Sequence, residues 1–284
     1  MGSVALVIDS TAYLPSEIVA QYGISVIPLY VRFGDEVYRD NVDMKPDQFY
    51  SRLRNTPVMP ATSQPSAGDF LELYRRLVEQ GASAILSIHI SGKLSGTVAS
   101  ALMAQQDLPD VPIYVIDSLS TAMGLGFMAI AAARALAAGR PVEGVVGMLE
   151  SVRDKVRIIF VVDTLEFLHR GGRIGGAAAF LGSVLNLKPL LALRDGRIEA
   201  VERVRTKKRA VTRMLDMLTA EIDRQPVHVA VLHSAALLEG MELQRETQAR
   251  LDCRELFLAE LSPVIGTHTG PGTVGLVTFP VSEE

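Results

Sequence analysis

Three short stretches of this chain gather side chains that could do chemistry. They are "TSQPS" at 62–66, "LSGT" at 94–97 and "HTGPG" at 268–272. Hydroxyl groups, a histidine and glycine-rich turns can together hold a small anion such as a carboxylate. Because Ser and Thr also cap helices throughout proteins, each stretch by itself is weak evidence of a ligand. It is the coincidence of three such stretches that indicates a polar site.

Ser95 also suggests a second interpretation, a serine hydrolase or acyltransferase with His268 as its base. The nucleophile elbow of such enzymes has the pattern G-x-S-x-G. Here the sequence is "GKLSG" at 92–96, which places the serine one position late. An acid would also have to meet both residues in space. This interpretation stays open as the alternative to ligand binding.

The patterns of nucleotide and metal sites are absent from the sequence or out of place. "GLGFMA" at 124–129 fits G-x-G-x-x-A, but its glycines fall inside an expected helix, where close packing explains them better than a dinucleotide does. No G-x-x-x-x-G-K-[ST] pattern occurs, so the chain has no P-loop. The five histidines are scattered along the sequence and lack the spacing of metal ligands. They are His89, His169, His228, His233 and His268. We expect no metal and no cofactor.

Alternating strands and helices position the polar stretches in the first half of the chain. The predicted strands are 4–10, 24–33, 82–90 and 111–118, and the predicted helices are 17–23, 45–54, 66–80, 95–106 and 120–138. The Gly34-Asp35 pair predicts a tight reversal after the second strand. This alternation predicts a parallel sheet covered on both faces, with ligands gathering at the carboxyl ends of its strands.

The second half of the chain has a different pattern. Its predicted elements are a strand at 157–164, a helix at 165–185, a hairpin at 187–204 turning at Asp195-Gly196, a helix at 207–223, a strand at 227–235, a helix at 237–251 and strands at 254–261 and 273–281. A mixed, largely antiparallel sheet follows from this order. The chain is therefore predicted to be a two-domain α/β protein, with an N-terminal domain at 1–154 and a C-terminal domain at 155–284.

Composition narrows the function classes. The chain of 284 residues has a net charge of −4, which argues against nucleic acid as a partner. Its single cysteine, Cys253, excludes an internal disulfide framework and favours a reducing compartment. The opening residues lack an export signal, so we expect a cytoplasmic protein. The longest apolar stretch, 121–139, is rich in Ala and Gly and carries Arg134, which predicts a buried helix and not a membrane span.

The chain resembles the DegV family, the fatty-acid-binding proteins that serve as lipid-carrying subunits of bacterial fatty acid kinase. The matching motifs run from end to end in the family's order. They are Asp9-Ser10-Thr11, "TSQPS", "LSGT", Asp117-Ser118, "GGRI" at 171–174, "VRT" at 204–206 and "HTGPG". The resemblance implies two α/β domains, a long-chain fatty acid in a tunnel between them, and no catalysis by this chain alone.

The resemblance also implies which residues form the site. Those expected to hold the carboxylate are Thr62, Ser95, His268 and Arg173, and those expected around them are Ser63, Gly96 and Ser118. Burial of ~15 methylene groups favours binding by about 10 kcal/mol gross, at ~0.8 kcal/mol each. A buried carboxylate needs hydrogen bonds, because without them it takes up a proton.

The remaining implications concern partners. The family's carriers present the acid to a separate kinase, which uses ATP to make an acyl phosphate for phospholipid metabolism. The densest basic cluster consists of Arg203, Arg205, Lys207, Lys208 and Arg209. Such clusters are usually solvated helix starts. The functional alternative is docking to an acidic kinase surface, with Arg205 matched through "VRT", or transient contact with anionic lipid headgroups. A carrier of another lipid acid without a kinase stays open.

Overall fold

The computed structural model describes residues 3–182 and 187–281 and builds three β-sheets from them. The strands are β1 (Ser3–Asp9), β2 (Ser25–Ile27), β3 (Tyr30–Phe33), β4 (Glu36–Arg39), β5 (Ala61–Ser63), β6 (Ala82–His89), β7 (Ile113–Asp117), β8 (Arg157–Val161), β9 (Lys188–Arg194), β10 (Arg197–Val204), β11 (Val227–His233), β12 (Cys253–Glu260) and β13 (Val274–Pro280).

The helices connect and cover these strands. The α-helices are α1 (Ser16–Tyr22), α2 (Pro46–Asn55), α3 (Ala67–Glu79), α4 (Thr97–Gln106), α5 (Ala122–Ala137), α6 (Val142–Val152), α7 (Glu166–Arg170), α8 (Lys207–Ile222), α9 (Leu237–Arg250) and α10 (Pro263–Thr269). Short 3₁₀ helices lie at Ser10–Ala12, Arg153–Lys155 and Gly175–Phe180.

The first half forms a four-stranded parallel sheet in the order β2-β1-β6-β7. Helices α3 and α4 pack on one face through a cluster that includes Phe70, Tyr74 and Ala101. Helix α5 contacts β1 and β6 through a different cluster on the other face. The predicted parallel sheet with two covered faces is confirmed.

The second half forms a six-stranded sheet in the order β10-β9-β8-β13-β11-β12. Only the β11–β12 pair is parallel among these neighbours, so the predicted mixed, largely antiparallel sheet is confirmed. The predicted hairpin is also confirmed, since Arg194 pairs with Arg197 across a two-residue turn. Both turn residues have positive φ, 48° at Asp195 and 77° at Gly196, as the tightest hairpin turns require.

The prediction of one strand at 24–33 is wrong. The structure divides this run into β2, which pairs with β1, and β3, which pairs with β4 and β5 in a small antiparallel sheet. The break falls at Pro28, which has no N–H to donate to a strand partner. Leu29 then directs its N–H to Ser10 Oγ at 3.1 Å. The tight reversal at Gly34-Asp35 is confirmed, because Phe33 pairs with Glu36.

The prediction of one helix at 165–185 is also wrong in the part that the structure describes. Only Glu166–Arg170 is α-helical, and Gly175–Phe180 is a separate 3₁₀ turn. Gly172, with φ +69°, interrupts the helix in the left-handed region. The rest of the predicted helix, 183–185, lies outside the described residues.

A third correction concerns the polar stretch around His268. The sequence predicted a glycine-rich turn at "HTGPG", 268–272, whereas its first two residues belong to α10. Pro263 starts this helix and Gly270, with φ +73°, ends it. Gly266 lies within this helix and packs closely against Tyr50, since a Cβ there would lie 2.5 Å from Tyr50 Oη. His268 therefore projects from a helix and not from a flexible turn.

Helix α5 lies within a core that both halves share. One cluster of buried residues includes Leu125 and Met128 of α5, Ile88 of the parallel sheet, and Phe160 and Val277 of the mixed sheet. This burial agrees with the predicted buried helix, and within 3–182 and 187–281 no helix has the length and apolar character needed to cross a membrane. The domain boundary at 154/155 stays a prediction.

The glycines of α5 allow close packing, as the sequence predicted. A Cβ at Gly126 would lie 2.6 Å from the carbonyl oxygen of Ala12, and one at Gly124 would lie 2.1 Å from Ser120 Oγ. Gly124 and Gly126 therefore belong to a helix that packs against the end of β1. They do not form the turn between a strand and a helix that binds the phosphates of a dinucleotide.

A pair of methionines tests the importance of this helix. Met128 is fully buried on α5, and Met103 on α4 is 61% exposed. We expect Met128→Ala to lower the free energy of unfolding by about 2–5 kcal/mol, because it leaves a cavity in the shared core. Met103→Ala should change it by less than about 0.5 kcal/mol. Urea unfolding of both variants measures this difference, and equal effects would contradict a core centred on α5.

Candidate functional site

A cavity lies between the two sheets, at the carboxyl end of β6 and against one face of the mixed sheet. Its volume is about 870 Å³ including its opening to solvent. Most of its wall is apolar, and residues of both halves contribute, for example Leu29 and Ile90 from the first half and Leu232 and Val264 from the second.

The mixed sheet supplies two rows of cavity-lining residues. Ile198 pairs with Leu193, which pairs with Ile158 on the next strand, and all three face the cavity. The second row runs from Phe160 through Gly275 to Leu232. Because alternate residues of a strand face the same side, Ile158 and Phe160 belong to neighbouring rows of one surface. The sheet thus forms a continuous apolar floor.

The polar part of the cavity centres on Thr62 and His268. Thr62 lies on β5, the edge strand of the small sheet, and His268 lies on α10. Thr62 Oγ1 and His268 Nε2 are 2.8 Å apart, a hydrogen bond between residues 206 positions apart in sequence. Both side chains line the cavity. Two of the predicted carboxylate-binding residues therefore meet there.

The environment of His268 keeps its imidazole neutral. Burial, with the positive charge of Arg173 as a second cause, lowers the pKa of His268 to about 4. Gly171 packs directly against the ring, because a Cβ there would lie 2.2 Å from Nδ1. A larger residue at 171 would displace the imidazole. Neutral imidazole has one donor and one acceptor nitrogen, so His268 can hydrogen-bond without adding charge to the cavity.

Arg173 lines the same region and is fixed by the backbone. Its Nε donates to the carbonyl oxygen of Leu94 at 2.9 Å, and a terminal nitrogen donates to that of Gly171 at 2.8 Å. The first of these bonds ties the "GGRI" segment to the "LSGT" segment. Both bonds hold the guanidinium beside His268, where it supplies the positive charge of the polar region.

Ser95 lines the cavity just before α4. Its Oγ is 2.8 Å from Thr97 Oγ1, whereas His268 hydrogen-bonds with Thr62. The hydroxyl is thus available to a ligand through its remaining lone pair or proton. Ser95 and His268 therefore do not form with each other the nucleophile–base hydrogen bond that a serine hydrolase requires.

The three residues expected around the site occupy different places. Ser63 lines the cavity beside Thr62. Gly96 contacts Gln64, since a Cβ there would lie 2.9 Å from Gln64 Nε2. Ser118 is fully buried in the turn after β7, where its Oγ accepts a hydrogen bond from the N–H of Ser120 at 3.1 Å. The role of these three residues in ligand binding stays a prediction.

The sequence did not single out Asp40, which anchors α10 from the first half of the chain. Its carboxylate is fully buried and accepts hydrogen bonds from Ser10 Oγ at 2.7 Å and Ser262 Oγ at 2.8 Å. It also accepts from the N–H of Val264 in the first turn of α10, at 3.1 Å. Burial raises the pKa of Asp40 to about 6. No local pattern identifies this residue, because its partners on α10 are more than 200 positions away.

A second buried network lies beneath the "LSGT" segment. Ser87 Oγ is 2.7 Å from His89 Nε2, and His89 Nδ1 is 3.2 Å from Asp9 Oδ2. Asp9 also accepts from the N–H of Ile90 at 2.8 Å. Although these are the residue types of a catalytic triad, all three side chains are fully buried and out of reach of a substrate. The network orients the strand end that leads to Ser95.

Within the basic cluster, Lys207 is half-buried and the other four side chains are exposed. Arg203 lies 4.4 Å over the Phe180 ring, and Lys207 pairs with Glu239. Arg205 and Lys208 are exposed.

The described residues include no group of three or more His, Cys, Asp or Glu that could hold a metal ion.

Comparison with solved structures shows the same fold. A fatty-acid-binding DegV family protein from Thermus thermophilus superposes with a TM-score of 0.93 and 40% sequence identity, over 98% of this chain and 100% of the other. A stearic-acid-binding protein from Eubacterium ventriosum superposes with a TM-score of 0.91 and 29% identity, over 98% of each chain. The predicted two-domain α/β architecture is thereby confirmed.

Sequence comparison leads to the same family. A DegV domain-containing protein of Streptomyces coelicolor is 41% identical over 276 residues, which cover 96% of this chain and 97% of that protein. The family model described as "Uncharacterised protein, DegV family" matches residues 3–281. The chain belongs to the DegV family.

Proposed function

We propose that this protein binds a long-chain fatty acid in the cavity and presents it to a separate ATP-dependent kinase that forms the acyl phosphate. The observation that carries the first part is the cavity itself, an apolar space between two sheets with Thr62, Ser95, Arg173 and His268 on its wall. An acyl chain matches the apolar wall and a carboxylate matches the hydrogen-bond donors. Family members of similar structure bind fatty acids, which supports the same ligand class here.

Each polar residue has a role in this proposal. Thr62 donates its hydroxyl proton to the carboxylate, and it can do so only if it accepts a hydrogen bond from His268. This requires the imidazole proton on Nε2, the atom 2.8 Å from Thr62 Oγ1. Ser95 donates a second hydrogen bond, and Arg173 offsets the negative charge of the carboxylate.

Two features support the proposed presentation to a kinase. The sequence has no P-loop, so phosphoryl transfer is assigned to a separate protein and the carrier needs no cofactor. The exposed Arg205 is assigned to docking an acidic surface of that partner. A carrier of another lipid acid, without a kinase, is the second reading of the same cavity.

The proposal is tested first at the carboxylate. Purified protein, extracted into organic solvent, should release a fatty acid detectable by mass spectrometry. After delipidation, Thr62→Val and Ser95→Ala should each weaken fatty acid binding roughly tenfold, as expected for one hydrogen bond to a charged group. Titration calorimetry measures both affinities.

Thr212→Val is the matched control for these variants. Its hydroxyl lies on α8, where it donates to the carbonyl oxygen of Lys208 at 3.1 Å, so fatty acid affinity should not change. Unaltered affinity in Thr62→Val, or repeated absence of any lipid in the extract, would refute the binding site. Ester hydrolysis that disappears in Ser95→Ala would instead establish the hydrolase.

The neutral state of His268 has a consequence for stability. Its pKa of about 4 in the folded protein is below its ordinary value of 6.5. As pH falls from 6.5 to 4, the unfolded chain takes up a proton here that the folded protein does not, so the free energy of unfolding decreases. We expect this decrease in the free energy of unfolding to be smaller in His268→Gln than in the unmodified protein, by up to about 3 kcal/mol.

Urea unfolding of the ligand-free proteins between pH 7 and pH 4 measures the effect. Asp40 acts in the opposite direction, because its raised pKa favours the folded state as pH falls below about 6. Only the difference between the protein and its variant therefore reports on His268. Parallel pH profiles would show that His268 is not held neutral.

Arg205 is tested by charge reversal. We expect Arg205→Glu to reduce acyl phosphate formation about tenfold or more with the kinase subunit of the source organism, because like charges at an interface repel. Fatty acid affinity should be unaffected. Arg75→Glu on α3, also exposed, is the matched control and should leave both activities intact. An equal loss of lipid binding in Arg205→Glu would contradict a docking role.

A further inference from the structure

A second polar point lies on the cavity wall, at the segment 119–122 between β7 and α5. Thr121 and Ala122 line the cavity together with Ile158 and Leu193. None of the family motifs quoted above includes Thr121, and the carboxylate residues described above lie on other segments of the chain. Thr121 therefore belongs to a largely apolar part of the wall.

Apart from Ser63, which is exposed, the other hydroxyls of the cavity wall already have protein partners. Thr62 bonds with His268, Ser95 with Thr97, Thr269 with the carbonyl oxygen of Ile265, and Thr273 with that of Thr269. Thr121 Oγ1 is buried as well, yet it has no partner among the residues that the structure describes. Since buried hydroxyls are almost always hydrogen-bonded, this one requires an explanation.

Helix capping does not provide that explanation. Thr121 directly precedes α5, the position at which a threonine usually accepts a hydrogen bond from the first turn. Its side chain makes no such bond. The hydroxyl of this cavity-lining residue thus keeps its hydrogen-bonding capacity.

The neighbouring residue has the same property. Ser120 is 2% exposed, and its Oγ likewise has no partner within the described part of the chain. It lines a polar cleft that shares Ile158 and Leu193 with the fatty acid cavity. Two adjacent buried hydroxyls therefore flank one apolar wall, and both retain their full hydrogen-bonding capacity.

The backbone holds these hydroxyls in place at some cost. Leu119 and Ala122, on either side, have φ values of 47° and 50°, in the left-handed region that disfavours side chains. Hydrogen bonds from the N–H of Leu119 to Asp117 at 2.9 Å and from the N–H of Ser120 to Ser118 at 3.1 Å maintain the turn. Strain of this kind persists where surrounding contacts impose it, often at ligand sites.

We infer that Thr121 forms a second polar subsite, which hydrogen-bonds a hydroxyl group on the acyl chain, so that the preferred ligand class is a hydroxy fatty acid. This inference rests on the proposed function. An alcohol on the chain both donates and accepts, and it supplies the partner that Thr121 Oγ1 lacks. Elsewhere along the apolar wall the same alcohol would be buried without a partner, so the subsite selects the carbon that carries it.

The experiment compares stearic acid with a series of hydroxystearic acids that differ only in the position of the hydroxyl. Titration calorimetry on delipidated protein measures each affinity. One isomer, or two neighbouring isomers, should bind about three- to tenfold more tightly than stearic acid, the gain expected of one added hydrogen bond. The other isomers should bind more weakly than stearic acid, because their hydroxyl is desolvated without compensation.

Three variants locate the effect. Thr121→Val keeps the shape of the side chain and should abolish the preference, so that the favoured isomer falls to or below stearic acid. Thr121→Ser retains a hydroxyl and should retain the preference. In Thr269→Val the lost hydroxyl was already bonded to Ile265, so the ratio between the favoured isomer and stearic acid should persist.

The outcomes separate this inference from the proposed function. If stearic acid binds but no isomer exceeds it, the subsite is refuted and the carrier function stands. A preference that survives Thr121→Val equally refutes the role of Thr121. If neither stearic acid nor any isomer binds, the proposed function fails and this inference fails with it.

Discussion

The hydrogen bond between Thr62 and His268 connects the two halves of the molecule at the polar region of the cavity. Its geometry depends on contacts made by both partners' elements. Asp40 holds the first turn of α10, and Gly171 leaves room for the imidazole on the opposite side. Since neither β5 nor α10 could place its side chain alone, the polar region exists only when the two halves are packed together.

The electrostatics of this region suit the carrier function proposed above. A neutral His268 and hydroxyl groups can satisfy a carboxylate without several opposing charges, and Arg173 is already engaged with the carbonyl oxygens of Leu94 and Gly171. A buried, fully paired ion pair would resist separation, because removing one partner strands the other charge. Donors that bind the acid more weakly are consistent with transfer to a second protein.

The apolar wall follows from the packing of α5 between the sheets. This helix fills the core that both halves share, and its glycines bring it close to the end of β1. The face of the mixed sheet beyond it, with Gly275 between Phe160 and Leu232, stays uncovered by side chains of sufficient size to fill the space. A chain of methylene groups is the natural complement of such a surface, and one hydroxyl at Thr121 adds selectivity to it.

Local patterns in the sequence determined the two sheets, the hairpin at Asp195-Gly196 and the family, since periodicity, turn residues and motifs act within a few positions. They also indicated Thr62 and His268, but not that β5 and α10 would carry them. The division of 24–33 depended on where Leu29 finds a hydrogen bond, and the role of Asp40 on partners far along the chain. Only the tertiary structure decided these points, because a contact between distant residues is set by the packing of everything between them, which no short window of sequence contains.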